Sequence, residues 1–555
     1  MSLYHPEDRS TLEEDLYRRI DQMIYRLLER NPVAATQMGD HRWDDRLADR
    51  SAEALAQEHA ELRAMLADLH AVDGDLLGLD AQIDLELVTH LLGMFVRDYE
   101  QVKSHERSPS GYLDEAVGGA ILLIMREFAP LGDRLRSALG RVLEVPRLLA
   151  QGRANIVPEA VPPVWAEVAL EQAQGAGALF VGLLPALAAE AAPDLQEAML
   201  QAGQAAAEAV AEYEAFLRDQ VLPVAAGDFA VGREAFDERL REEHMVDYDA
   251  EGLLATGWEL FHQTREQMAA VAAEIDPSLT AQEILASERG DHPSAEGLLD
   301  AYRQEMAAIR QYVVDHEIAT IPEGEVLRIV ETPAFLQPII PFVAYMTPGM
   351  LEETQEGLFL VTPVDPALPP EAQEERLRRH SWSKLPLTAL HEAYPGHHLQ
   401  LVWGNRQPRI ARRTGSALAT LFIEGWAFYC EELLEQMGYL SRPIQRLGRL
   451  ADQLWRAGRI ILDVSLHTRG MAVDEAVDFL VDECGLQRPA AEAEVRRYTL
   501  SPTQPQSYLM GKQAIVGLVA DYRRAHPGAS LRQVHDAILG CGSLPPRLMR
   551  RQLAL

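Results

Sequence analysis

In the stretch His391-Glu392-Ala393-Tyr394-Pro395-Gly396-His397-His398-Leu399-Gln400, three imidazoles and a carboxylate crowd into ten residues around a proline-glycine pair. Imidazole nitrogens and carboxylate oxygens are the ligands zinc takes, and a catalytic zinc typically keeps three protein ligands and one open position. In the short helical version of such a site, His-Glu-x-x-His, two imidazoles stand one turn apart on one face and the intervening Glu serves as general base. Here Pro395 occupies the place of the second histidine. On a regular helix of about 100° per residue, His397, six positions on, points well off the face of His391. His398, seven on, returns to that face but lies roughly 10 Å further along the axis. Neither reaches the same ion from an undistorted helix. Pro395 removes a backbone donor and Gly396 tolerates unusual dihedrals, so a bulge or break is expected between the histidines. His397 is favoured as second ligand and His398 competes with it; spacing does not choose between them.

A third ligand is expected from a helix packed on the first. The run Ala417 to Leu434, with Glu424-Gly425-Trp426 at its centre, is dense in apolar residues and suits a buried helix. A carboxylate inside such a run is costly unless paired or metal-bound, which makes Glu424 the candidate, with an ordinary buried ion pair as the competing reading. Glu431 and Glu432 read as the outer, solvated continuation.

These motifs, with Arg459 to His467 and Gln506-Ser507-Tyr508-Leu509-Met510-Gly511-Lys512, resemble the bacterial domain-of-unknown-function 885 family, most closely from about Thr332 to Lys512. The resemblance implies a zincin-like, mostly helical protein distantly similar to helical oligopeptidases and dipeptidyl carboxypeptidases. It carries over a metal site and no substrate. In helical zinc peptidases of that sort a tyrosine and a histidine stabilise the oxyanion opposite the metal. Tyr508 and His467 are the candidates here, with Asp463 four positions before His467 to orient its ring. The competing reading makes Tyr508 a core aromatic and His467 a satisfied core histidine.

The chain holds three lysines, Lys103, Lys384 and Lys512. A compact ammonium suits a substrate carboxylate or an oxyanion in a tight space, so Lys512 is a candidate substrate contact. From Glu331 to Val364 the sequence turns rich in Pro, Thr, Phe and β-branched residues, and short strands are expected there. Such an edge can hold a peptide backbone by strand addition, with Tyr345 as the substrate-binding side chain. A proline-rich connector is the competing reading. Elsewhere Ala, Leu, Glu and Arg dominate in amphipathic runs, so the expected fold is mainly α, a large helical zincin-like fold with a small sheet beside the metal-binding helix. A soft boundary near Ala225 divides an N-terminal helical lobe, 1–225, from a C-terminal catalytic lobe, 226–555, unless the two form one continuous domain.

A formal charge of −34 repels nucleic-acid phosphates and anionic membranes alike. The N-terminus has neither a basic start nor an apolar core, and no apolar run near the ~20 residues of a membrane span is expected, which points to the cytoplasm. Cys430, Cys484 and Cys541 lack paired spacing and read as reduced thiols. A carboxylate-bridged di-metal protein would need a pair of Glu-x-x-His motifs on partner helices, and no such pair is present. The reading reached is a zinc metallopeptidase: His391, His397 and Glu424 as metal ligands, Glu392 as general base, Tyr508 aided by His467 at the oxyanion, and a short peptide as substrate. Amide hydrolysis of a non-peptide metabolite and a non-catalytic peptide-binding relative are the alternatives.

Overall fold

The computed structural model describes residues 6–334, 336–337 and 340–555, and the protein is mainly α with one small sheet. Contacts divide it into two compact units, Met1–Phe229 and Ala230–Leu555.

Among its described residues the first unit has helices and no strand. At its centre α1 (Ser110–Met125), α2 (Leu131–Asn155) and α3 (Gln196–Phe216) pack together. Leu135, Ala138, Val142, Val145 and Leu149 recur every three or four residues on α2 and are all buried, which is the stripe of a core helix. Arg141 lies fully buried among them. Its guanidinium donates to the carbonyls of Gly119 at 2.6 Å and Arg46 at 3.1 Å and stands 3.8 Å from Asp44. Burial lowers its pKa to about 10, so it stays charged at neutral pH and ties three segments together. The helical run Pro163–Ala191 is long and apolar enough, by length and composition, to cross a membrane, although Glu167 and Glu171 interrupt its apolar residues. Alanine supplies much of that character, and 44% of the most apolar window is buried within the protein.

In chain order the second unit places α4 (Ala250–Ile275), α5 (Leu298–Asp315), β1 (Val326–Glu331), β2 (Val343–Met346) and β3 (Glu356–Val361). There follow α6 (Leu385–Glu392), α7 (His397–Asn405), α8 (Thr420–Gln436), α9 (Pro443–Thr468) and α10 (Ser507–Ala525). The main core lies between α4 and α9, where Leu253, Phe261 and Met268 meet Leu454, Ala457, Ile460 and Val464. The strand order is β1-β3-β2, with β1 parallel and β2 antiparallel to β3, and Tyr345 opposite Phe359. Two of the expected strands, β2 and β3, fall inside 331–364, whereas β1 runs just ahead of it. The proline-rich segment between Thr332 and Phe342 forms no strand among its described residues, because Pro333 and Pro341 have no ladder donor. Phe335, Pro338 and Ile339, which the expectation also covered, lie outside the described residues.

Candidate metal centre

The break expected at Pro395-Gly396 is present, since α6 ends on Glu392 and α7 begins on His397. Gly396 is required by close approach. A Cβ there would stand 1.9 Å from the carbonyl oxygen of His391 and 2.4 Å from that of Leu390. The Gly396 N–H instead bonds Leu390 O at 3.1 Å, and the indole N–H of Trp426 donates to Pro395 O at 2.8 Å. The Glu-Gly-Trp segment of α8 thus clamps the joint from the side that carries Glu424.

Tight helix crossing fixes Glu424 itself. A Cβ on Gly425 would lie 2.2 Å from the Gly511 carbonyl carbon, and one on Gly511 would lie 2.1 Å from Leu421 O, so α8 and α10 touch backbone to backbone. Glu424 adjoins this contact on α8, and Tyr508 lies one turn before it on α10.

The outcome is a cluster in which His391, His397 and Glu424 each offer a ligand atom, all within 4.8 Å of one another. The two rings are perpendicular with centroids 4.7 Å apart, and His397 Nε2 is 3.6 Å from Glu424 Oε2. Tetrahedral zinc with bonds of about 2.0–2.1 Å sets its ligand atoms about 3.3 Å apart, so side-chain adjustment of an ångström or so closes the set.

His391 Nδ1 hydrogen-bonds Glu431 Oε1 at 2.8 Å, and Glu431 is only 3% exposed. This corrects the reading of Glu431 as outer and solvated: lying seven residues beyond Glu424, it returns to the same helix face two turns on. The carboxylate fixes the tautomer and leaves Nε2 as the nitrogen that could coordinate a metal, the partner arrangement of metal-ligating histidines. Burial lowers the His391 pKa, but the Glu431 hydrogen bond and charge, with Glu392 and Glu424, outweigh it and hold the group above its ordinary value. Burial, then the charge of His391, push His397 down to about 4, which keeps it neutral as a metal requires. Burial raises Glu424, opposed by the charges of His391, Arg459 and Arg456 and by the nearby Tyr508 hydroxyl.

The choice between neighbouring histidines is now structural. His398 is fully buried with both nitrogens engaged, Nε2 on Glu325 at 2.8 Å and Nδ1 on the Tyr345 hydroxyl at 3.1 Å. Glu325 also accepts from the Tyr394 hydroxyl at 2.7 Å and from Arg310 at 2.9 Å. Against the cost of burial, these partners hold its carboxyl at about 2. His398 therefore ties α7 to the sheet, and His397 faces the cluster.

The remaining candidates divide. Glu392 ends α6 beside His391, half-buried, and its carboxylate makes no hydrogen bond or ion pair among the described residues. Tyr508 belongs to the site through the Gly425–Gly511 contact, which seats it beside Glu424. His467 does not: it is fully buried, with Nε2 on the main-chain carbonyl of Tyr498 at 3.0 Å and its ring against Phe236, 6.2 Å between centroids. Asp463 stands 3.8 Å from His467 and accepts instead from the Thr503 N–H at 3.2 Å. Lys512, 3% exposed, is also corrected: it pairs with Glu432 and donates to Gln453 at 2.7 Å, which commits it to packing α10 on α8 and α9. Tyr345 spends its hydroxyl on His398, so its part is to position α7, not to meet substrate.

Fold and cluster together define a mainly helical protein with a His/His/Glu centre built across a broken helix. The chain belongs to the bacterial proteins of unknown function grouped as DUF885, matched over residues 32–553. No curated protein matches it. Among solved structures it is similar to a "putative lipoprotein of unknown function" from Shewanella oneidensis, with 26% identity and a TM-score of 0.80 over 97% of this chain and 99% of that one. A "putative lipoprotein" from Colwellia psychrerythraea gives 17% identity and a TM-score of 0.83 over 98% of each chain, a likeness of fold alone.

Proposed function

We propose that the protein is a zinc-dependent, zincin-like hydrolase that cleaves short peptides. The observation carrying this reading is His391, aimed through its Glu431 hydrogen bond, standing with His397 and Glu424 beside a carboxylate, Glu392, that has no hydrogen-bond or ion-pair partner among the described residues. A structural metal site has no use for such a carboxylate. The donor set fits zinc: two imidazoles, one kept neutral by burial, and an acid whose desolvation a dication would relieve. Zinc held there supplies a water made acidic enough to attack near neutral pH and polarises the carbonyl under attack. A Glu392 oxygen accepts the proton of the attacking water and returns it to the leaving nitrogen. Tyr508 donates its phenolic proton toward the oxygen that gains charge, and such a donor contributes about 3 kcal/mol.

Elemental analysis of protein purified without added metal should find about one zinc per chain. Glu392→Gln should keep that zinc and lose peptide hydrolysis by several orders of magnitude. Full activity in that variant would remove the general-base role, and a metal-free wild type with activity would remove the centre. The chain's expected place is the cytoplasm, whereas two structural neighbours carry the name lipoprotein; cell fractionation decides between cytoplasm and envelope.

A further inference from the structure

We propose that Arg459 and Arg456 form a recognition site for the free α-carboxylate of a short peptide, next to the His391/His397/Glu424 cluster. This rests on the short-peptide reading above, every member of that substrate class carrying such a group.

The two arginines lie one turn apart on α9 and both pack on the ring of Tyr508, with guanidinium-to-centroid distances of 4.5 Å for Arg459 and 5.7 Å for Arg456. Tyr508 lies one turn before Gly511, which is seated against Gly425 beside Glu424, so the guanidinium groups stand on the phenol side of the cluster. Arg459 is 4% exposed. Its Nε donates to the Tyr498 hydroxyl at 3.0 Å and its Nη2 to Glu494 at 2.9 Å, while Nη1 is buried with no hydrogen-bond partner among the described residues. Arg456 Nε is likewise buried and without one. Buried guanidinium donors are rarely left so, and an acceptor of negative charge is what they fit.

Local charge points the same way. Lys384 and Arg456 share Asp452, and Arg459 and Arg497 share Glu494, so four cations stand against two carboxylates. Both arginines also act by charge on Glu424, though among the described residues neither makes a hydrogen bond or ion pair with it. Planar guanidinium groups match a carboxylate in shape as well as charge.

The test is calorimetric binding of N-acetyl-alanyl-alanine to the metal-free full-length protein, as the acid and as its C-terminal amide, beside N-acetyl-glutamate α-amide, which carries its carboxylate on the side chain. The acid should bind at least tenfold more tightly than its amide, and the glutamate amide no better than the alanyl amide. Arg459→Gln should bring the acid-to-amide ratio toward one. Arg456→Gln, at a position nearer the surface, should lower the ratio in the same direction if the first variant fails to fold. Equal binding of acid and amide by the wild type overturns the proposal. So does a ratio that survives both substitutions, or a glutamate amide that binds as tightly as the acid. Because binding is read without metal or turnover, a protein that discriminates acid from amide yet cleaves nothing upholds this site and sinks the hydrolase reading; one that cleaves acid and amide alike does the reverse.

Discussion

Removing the Glu431 carboxylate should loosen zinc while leaving all three ligands in place. The His391 Nδ1 to Glu431 Oε1 contact is 2.8 Å and nearly enclosed, so the donor has no ready water to replace its partner in Glu431→Ala. Partners of this kind are worth about 10–100-fold in metal affinity, or about 1.4–2.8 kcal/mol at 1.4 kcal/mol per tenfold. A charge-assisted hydrogen bond contributes about 1.5–3 kcal/mol, which gives the same range from the protein side. Glu431→Ala should therefore raise the zinc Kd about 100-fold, and Glu431→Gln, which keeps an acceptor but loses the charge, about tenfold. The assay is competition for zinc against a chromophoric chelator, with Glu432→Gln as the neighbouring control, since Glu432 pairs with Lys512 and does not bond His391. An alanine variant within twofold of wild type would refute the reasoning, as would a Glu432→Gln effect equal to it.

Four further outcomes follow from the same geometry. His397→Ala should empty the zinc site with little loss of stability, whereas His398→Ala, which strands the Glu325 carboxylate, should cost about 3 kcal/mol in denaturant unfolding; the reverse pattern would exchange their roles. Zinc binding by the metal-free protein should strengthen about tenfold per pH unit below the raised His391 pKa and level off above it, because the imidazole must lose a proton. The His391–Glu431 ion pair has the opposite sign in the metal-free fold: its contribution is complete below the unfolded histidine value of about 6.5 and is lost as pH rises through the higher folded value. Metal-free Tm measured across that window should show it. Gly425→Ala should destabilise by roughly 1–3 kcal/mol through overpacking and also weaken zinc, since α8 and α10 can separate only by moving Glu424; a stable variant with normal zinc content would contradict the crossing.

Much of this was legible in the residues, and what was not has physical reasons. A helix joint at Pro395-Gly396 follows from a missing donor and a missing side chain, both local properties. Apolar density around Glu424 marks a buried helix for the same reason. His397 could not be separated from His398 locally, because the decision lies with Glu325, 73 positions away, which claims the second ring. Glu431 was open to the seven-residue spacing and was passed over because two adjacent acids read as a solvated end. His467 and Lys512 had suitable chemistry, yet their roles depend on the rotation of α9 and on Glu432, neither of which composition reveals. Arg456 carried no motif, and Arg459 only opened a family-like segment with no role attached; packing on Tyr508 is what distinguishes the two.

The contact between Gly425 and Gly511 has a mechanical consequence. With no side chains interposed, the two helices are riveted at one point, and the acid and the phenol on either side of the rivet share a single rigid frame. Slippage of one helix would carry both groups together, so their mutual aim is insulated from motions that rearrange the walls around them.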